Sequence, residues 1–400
     1  MKVCIAGKNN IAVEIVSFLI EKELVSKNEI YIVLNKTDNY TDTWQRSLGK
    51  YAKENELEIV SLDQVYDIED LLFLSLEFDK IIKVEKFKTN KLYNIHFSIL
   101  PKYKGMFTSI LPILNNEPLS GVTLHKIDKG IDTGDIIATK EFSINKNDNS
   151  RNLYFKYLKA GIELLKDNFQ RLEENIYINA MPQVAMSSQY YSKDIIDFSN
   201  IIIDLNQVAI NIHNQVRAFY FREYQIPKVF DYNIISSEIL CSKSKKRVGS
   251  IILENSISFL VSTIDYDIVL YKDRGDTLFE ACANGNLSLV NELIQIPNII
   301  NIQNQIGWTP LIVAIYNNEI EIVKTLLING ADIQLTNFKG TTPLMYAKTS
   351  YCKSKDSTIL KILLALDVDI YQQDYQDKNV LDYTRENSEL DVLELIMEAR

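Results

Sequence analysis

Asn94-Ile95-His96-Phe97-Ser98-Ile99-Leu100-Pro101-Lys102-Tyr103-Lys104-Gly105 runs from an extended segment into a loop. Asn94 and His96 are two residues apart, so on an extended chain both side chains leave the same face. Side by side, an amide donor and an imidazole can bind a developing oxyanion and manage a proton. Pro101 and Gly105 mark a loop, which sets the pair at a strand end, where open α/β sheets hold their ligands. A second segment, Gly121-Val122-Thr123-Leu124-His125-Lys126-Ile127-Asp128-Lys129-Gly130-Ile131-Asp132-Thr133-Gly134-Asp135-Ile136, carries another of the chain's 3 histidines. Its Gly130, Asp132 and Gly134 make a tight turn able to aim a carboxylate at His96, fixing the tautomer and raising the imidazole pKa. Each segment alone has an ordinary reading: Asn-x-His after a strand is polar loop chemistry, and Asp-Thr-Gly is a common turn.

Outward from these segments, short β-branched runs alternate with amphipathic stretches. Val3-Cys4-Ile5-Ala6 reads as a buried strand, Ile11 to Leu24 as a helix, and Ile30-Tyr31-Ile32-Val33-Leu34 as a second strand. Lys80-Ile81-Ile82-Lys83 lies near another. This alternation predicts a mostly parallel sheet covered on both faces. From about 185 to 270 the pattern changes: Ile201 to Ala218 reads as helical. The segments Ile234-Ile235, Val248 to Leu253 and Ile268-Val269-Leu270 then read as a small mixed or β-rich unit. The expected domains are 1–184 (catalytic), 185–272 (substrate or dimerisation region) and 273–400 (repeats).

The formal net charge of −10 gains nothing from a nucleic-acid backbone. The four cysteines (Cys4, Cys241, Cys282, Cys352) show no paired spacing, which argues against a disulfide framework or a zinc site and fits a reducing cytoplasm. The apolar start, Met1 to Gly7, is too short for a signal peptide, and no apolar run approaches the roughly 20 residues that cross a bilayer. No membrane role is therefore expected.

The last third repeats. Gly307-Trp308-Thr309-Pro310-Leu311 recurs as Gly340-Thr341-Thr342-Pro343-Leu344, and Ala281, Ala314 and Ala347 keep the same step, as do Leu278, Leu311 and Leu344. Val290-Asn291-Glu292-Leu293-Ile294 matches Val323-Lys324-Thr325-Leu326-Leu327. A final unit starts near Asn379-Val380-Leu381 after a four-residue insertion. The Thr-Pro-Leu helix starts and this period resemble the ankyrin repeat, and imply four all-α units over roughly 275–400 with atypical units at the ends. Such arrays are usually protein-binding surfaces. Trp308 sits where many repeats place a small residue or Arg, and an indole there could stack on a nucleotide base, making a possible second site for a nucleotide-sugar.

Taken together, Asn94-x-His96-x-Ser98-Ile99-Leu100-Pro101, Gly105, Gly121-Val122-Thr123-x-His125 and Asp128-x-Gly130-x-Asp132-Thr133-Gly134 resemble the formyltransferases that use N10-formyltetrahydrofolate. Ile99 and Lys104 depart from the common Leu and Arg. Over residues 1–180 the resemblance implies a Rossmann-like fold and no metal. It implies that Asn94 and His96 polarise the formyl oxygen, that Asp132 orients and charge-stabilises His96 and helps the amine lose a proton, and that His125 is structural. The pterin would be held by backbone groups, on the strand before Asn94 at Lys80 and Ile82, and in the Asp132 loop at Asp128 and Lys129.

Within the family, Leu74 to Ile82, Asn94 to Ser109, Gln189 to Asp194 and Val216 to Phe221 resemble the sugar N-formyltransferases, whose substrates are usually dTDP-linked amino-dideoxyhexoses. The chain is expected to carry no regulatory domain before its first strand, unlike the folate hydrolases. The resemblance implies Asn9, Ser75, Glu77, Met106, Thr108, Arg217 and Tyr220 as substrate contacts: Arg217 could face a diphosphate, and Phe219, Tyr220 or Phe221 could either stack on thymine or pack in the core. The expected reaction is formylation of a dTDP-amino-dideoxyhexose, leaning to dTDP-3-amino-3,6-dideoxyglucose, by a cytoplasmic homodimer feeding a surface glycan such as O-antigen. The alternatives are a 4-amino sugar, methionyl-tRNA, or a non-catalytic ankyrin adaptor.

Overall fold

In the computed structural model, all residues are described except 176–179, 184–187, 367 and 399–400. The expected boundary between residues 184 and 185 lies outside the described residues. The chain forms two compact units, Met1–Asp204 with Ile210–Lys228, and Leu205–Ala209 with Val229–Arg400.

The first unit opens with β1 (Lys2–Gly7), α1 (Asn9–Glu21), β2 (Ile30–Leu34), α2 (Leu48–Glu54), β3 (Glu58–Ile59), α3 (Leu62–Val65), β4 (Leu71–Leu76) and β5 (Leu92–His96). These five strands lie parallel in the order β3-β2-β1-β4-β5. After β6 (Lys104–Gly105) and α4 (Leu111–Leu114), β7 (Leu119–Lys126) adds antiparallel to β5 and β8 (Ile136–Ser143) antiparallel to β7, completing a seven-stranded sheet. The period of two sorts the strand residues: Val3 and Ile5 join one core with α1 and the long α5 (Ser150–Glu173), while Cys4 and Ala6 join another with Leu62 and Val65. Because both faces are covered, β4 reads Leu-Leu-Phe-Leu-Ser-Leu and is buried at every position.

The strand order reverses between β1 and β4, and their carboxyl ends open a crevice. Gly7 permits this closeness: a β-carbon there would sit 2.1 Å from the Leu76 carbonyl oxygen. Beyond α5, β9 (Tyr190–Tyr191) pairs in parallel with β6. The helical reading of Ile201 to Ala218 holds only for α6 (Ala209–Phe219). Ile201 and Ile203 instead exchange strand-type bonds with Lys228, the preference expected of a β-branched run.

The second unit contains a five-stranded sheet in the order β10-β11-β14-β13-β12, formed by β10 (Lys228–Val229), β11 (Tyr232–Ile239), β12 (Ile251–Glu254), β13 (Ser258–Ser262) and β14 (Asp267–Lys272). Four helix pairs follow: α7 (Gly275–Ala283) with α8 (Leu287–Leu293), α9 (Pro310–Tyr316) with α10 (Ile320–Ile328), α11 (Pro343–Ser354) with α12 (Thr358–Leu364), and α13 (Val380–Glu386) with α14 (Leu390–Glu398). The repeated Thr-Pro-Leu has a mechanical meaning. The hydroxyls of Thr309 and Thr342 accept from the amides of Ile312 and Met345, the prolines occupy the first helical position, and Leu311 and Leu344 are buried. Ala281, Ala314 and Ala347 are buried beside them, and Thr384 takes their place in the last unit, bonding back to the Val380 carbonyl. The four-residue insertion lengthens α11 to 12 residues, against 7 in α9, and left-handed Lys355 (φ 61°) ends it.

Candidate active site

Asn94 faces Ser75 of β4 on one side and His125 of β7 on the other, and His96 faces Thr123, so register alone gathers two histidines and an amide at the carboxyl end of β5. Asp132 arrives from the β7–β8 turn. Its backbone is left-handed (φ 54°), a conformation costing a non-glycine residue about 1–3 kcal/mol. Within that turn the Asp128 carboxylate accepts from the Gly130 amide (3.0 Å) and the Thr133 hydroxyl (2.6 Å). Gly134 lets the turn close, since a β-carbon there would meet the Lys126 carbonyl at 1.9 Å.

The side chains meet as the spacing predicted, with one difference of direction. His96 Nε2 lies 2.7 Å from the Tyr103 carbonyl. A carbonyl can only accept, so Nε2 carries the proton and Nδ1 is the nitrogen that faces Asp132 Oδ2, 3.4 Å away. Asp132 Oδ2 also accepts from the Gly105 amide at 2.9 Å. His125 Nδ1 likewise donates to the Lys126 carbonyl (2.7 Å), leaving Nε2 to accept from Asn94 Nδ2 at 3.0 Å. Asn94 Nδ2 also lies 3.5 Å from Asp132 Oδ1, so its second hydrogen points toward the carboxylate and is weakly held. His125 is thus a partner of Asn94, not only packing behind the turn.

Burial by itself would raise the Asp132 pKa, but His96, His125 and the Gly105 amide together outweigh it and hold the carboxyl well below the usual carboxylate range. Burial dominates for His96 and lowers its pKa against the pull of Asp132. At neutral pH the pair is a carboxylate beside a neutral imidazole that presents a lone pair. The expectation of a raised imidazole pKa is therefore corrected: the carboxylate is where the turn was expected to put it, but desolvation is the larger effect.

A cavity of about 890 Å³ opens onto Asn94, His96 and Asp132. Ser75, Glu77, Met106 and Thr108 also line it, as do Lys80, Ile82 and Asp128; the neighbours of Lys129 line it, Lys129 itself does not. Lys80 and Ile82 lie in the loop after β4, not on a strand. Ile82 buries its side chain in the core, so what it offers the cavity is backbone. Exposed Ile81, Met106 and Ile131 give the same cavity an apolar wall. Asn9 does not line it, but donates to Glu77 at 3.2 Å, as does Tyr154 at 2.9 Å. Desolvation raises the Glu77 pKa against Lys8 and these two donors.

Two expected contacts lie elsewhere. Arg217 is buried, donating to the carbonyls of Asn145 (3.3 Å) and Asp148 (3.0 Å) and to Asn214 Oδ1 (2.6 Å). A buried guanidinium requires such partners, and this one holds the loop before α5 instead of facing the cavity. Tyr220 is buried outside it too. Phe221 packs on Trp44 (5.3 Å between centroids) and Tyr154 (5.7 Å), the core reading of that aromatic run. Residues to which the sequence gave no such role are Tyr103 and Gly105, as backbone partners of His96 and Asp132; Tyr154, under Glu77; and Tyr190, Ser192, Lys193 and Asp194, in the cavity wall. In the second unit Trp308 is half-buried against Tyr316 (4.8 Å) and Tyr346 (5.1 Å), with Lys353 Nζ 3.8 Å from the Tyr316 ring centre. Among the described residues, no group of three or more His, Cys, Asp or Glu side chains is placed to hold a metal ion, and no helix is long and apolar enough to cross a membrane.

Residues 25–168 match the formyl transferase family and residues 278–374 match ankyrin repeats (3 copies). The crystal structure of WlaRD, a sugar 3N-formyl transferase solved in the presence of dTDP and 5-N-formyl-THF, is 46% identical, with a TM-score of 0.64 over 68% of this chain and 98% of that one. The N-formyltransferase of Helicobacter canadensis, in complex with folinic acid and dTDP-3-aminofucose, is 44% identical, with a TM-score of 0.63 over 68% of this chain and 100% of that one. The methionyl-tRNA formyltransferase of Clostridioides difficile (strain 630) is 31% identical over 208 residues, 51% of this chain and 66% of that protein's length.

Proposed function

The chain belongs to the formyltransferase family, among the sugar N-formyltransferases, and from that premise we propose that it moves a formyl group from N10-formyltetrahydrofolate to the amine of a dTDP-linked amino-dideoxyhexose. The observation that carries this reading is the meeting of Asn94, His96 and Asp132 at the wall of one cavity. That cavity suits both substrates: apolar Ile81, Met106 and Ile131 beside the backbone of the Lys80–Ile82 and Asp128–Gly130 loops fit a flat pterin, and Glu77 and Thr108 fit a hydroxylated sugar.

When bound, the formyl-folate supplies the one-carbon unit. Asn94 Nδ2 donates its weakly held hydrogen to the formyl oxygen, where negative charge gathers as the sugar nitrogen bonds to the carbon. His96 Nδ1, kept unprotonated by the Tyr103 bond to Nε2, takes the proton that this nitrogen loses, directly or through water. Asp132 pairs with the imidazolium so formed. The proton returns to the departing folate nitrogen, so the products are the formamido sugar and tetrahydrofolate, with no net change at His96.

The favoured acceptor carries its amine at C3, supported by the 3N specificity of WlaRD and the 3-aminofucose bound to the Helicobacter enzyme. We take it as dTDP-3-amino-3,6-dideoxyglucose, acted on in the cytoplasm by a homodimer that uses the 185–272 region, with the product entering a surface glycan such as O-antigen. Mass spectrometry of reactions with N10-formyltetrahydrofolate and 3-amino and 4-amino dTDP-sugars tests this: gain of one formyl by the 3-amino gluco compound is expected, and formylation of the 4-amino series alone would overturn it. The Trp308 ring cluster supports a second nucleotide-sugar site in the ankyrin array. Calorimetry of the full chain with dTDP should show two sites that become one in Trp308→Ala; a single site in both proteins refutes it.

A further inference from the structure

Gln183 reaches back 51 residues to the Asp132 turn. Its Nε2 donates to two carbonyls of that turn, Asp132 O at 2.9 Å and Gly134 O at 2.7 Å. Both partners can only accept, so the orientation of the amide is fixed by chemistry. The backbone just before it is pinned as well: Met181 and Ile136 exchange both of their amide bonds, each 2.9 Å, and Pro182 follows. The other end of the amide gains nothing: among the described residues, Gln183 Oε1 is buried with no hydrogen-bond partner. An arrangement selected for stability alone would favour an apolar side chain here, since it leaves an acceptor unsatisfied to place one donor group. What that donor group holds is the left-handed Asp132 itself, through its own carbonyl and that of the residue two beyond. A few residues further on, β9 pairs with β6, whose Gly105 amide binds Asp132 Oδ2, and the Tyr191 ring stacks on Tyr103, whose carbonyl binds His96.

We propose that Gln183 is a positioning residue for formyl transfer: it holds the Asp132 turn so that the carboxylate faces His96 Nδ1. The inference rests on the catalytic reading above. Without both donors the two carbonyls repel, the turn relaxes from its left-handed form, and the carboxylate withdraws from the imidazole.

The test compares wild type with Gln183→Met, which keeps the volume and removes donor and orphaned acceptor together. The melting temperature should stay within a few degrees. The kcat should fall about 30- to 100-fold, the loss expected for a misplacement of about 1 Å, with both KM values within about threefold. NMR titration of His96, one of only 3 histidines, should show its midpoint moved to lower pH, because the stabilising carboxylate has moved away. Gln183→Glu, with acceptors only, should lose more kcat than the methionine variant and carries the test should that one not fold. A folded variant with wild-type kcat and an unmoved His96 midpoint overturns the proposal. Failure of both variants to fold overturns it too, by making the clamp a requirement of folding. If wild type formylates none of the sugars, the substrate reading fails, and the His96 titration still decides the role of Gln183.

Discussion

Replacing Asp132 with Asn removes one charge and almost nothing else. Oδ2 accepts from the Gly105 amide at 2.9 Å, so the carboxamide must turn its oxygen there and its NH2 toward Asn94 Nδ2. The Asn94 side chain then meets a donor in place of an acceptor, and His96 Nδ1 faces a neutral oxygen. The larger effect is on the imidazolium formed in the reaction. At the 3.4 Å separation of His96 Nδ1 and Asp132 Oδ2, with an effective dielectric constant of about 20, the lost attraction is about 5 kcal/mol. On the scale of about 1.4 kcal/mol per tenfold in rate, kcat should fall by roughly 10³ to 10⁴. Initial rates at saturating concentrations of both substrates would measure this, with circular dichroism to verify the fold. A kcat within about tenfold of wild type refutes the claim that Asp132 stabilises a charged His96 during transfer.

Three further outcomes are expected. The pH profile of wild-type kcat/KM should retain activity below the ordinary histidine value of about 6.5: His96 acts as the neutral base, burial lowers its folded pKa, and activity is lost only as pH falls through that lowered value. An acid limb centred above 6.5 contradicts this. Arg217→Met should cost about 2–3 kcal/mol in urea unfolding, because carbonyls of the loop before α5 lose their donors, while the KM for the nucleotide sugar changes less than about threefold. A KM rise of about a hundredfold would return Arg217 to the diphosphate. Leu311→Ala, at a fully buried position of α9, should destabilise the second unit by about 2–5 kcal/mol, read from the midpoint of its unfolding transition; a loss below about 1 kcal/mol would show that the repeat core is not packed as described.

Local chemistry was legible in the sequence, and distant partners were not. The spacing of Asn94 and His96 fixed their common face, and the Gly-x-Asp-x-Gly pattern fixed a turn, because both depend only on neighbours along the chain. Thr309 and Thr342 announced helix starts for the same reason. Arg217 misled because a side chain able to grip a diphosphate is equally able to grip two loop carbonyls, and only the packing of α6 decides which is in reach. The direction of His96 was hidden by a backbone oxygen, that of Tyr103, which no side-chain pattern displays. Gln183 gave no signal at all, since its partners are main-chain carbonyls far earlier in the sequence. The sign of the His96 shift needed burial as well as charge, and burial is a property of the assembled sheet.

The lengthened α11 has a consequence for inheritance. Leu278, Leu311 and Leu344 mark a uniform step, so crossing-over between misaligned gene copies in that interval adds or deletes a whole helix pair and leaves every stacking contact in phase. Past Pro343 the step is four residues longer, and the same exchange would join a long inner helix to a neighbour shaped for a short one. Arrays of altered length descending from this gene should therefore vary ahead of α11, with the last two helix pairs inherited as a block.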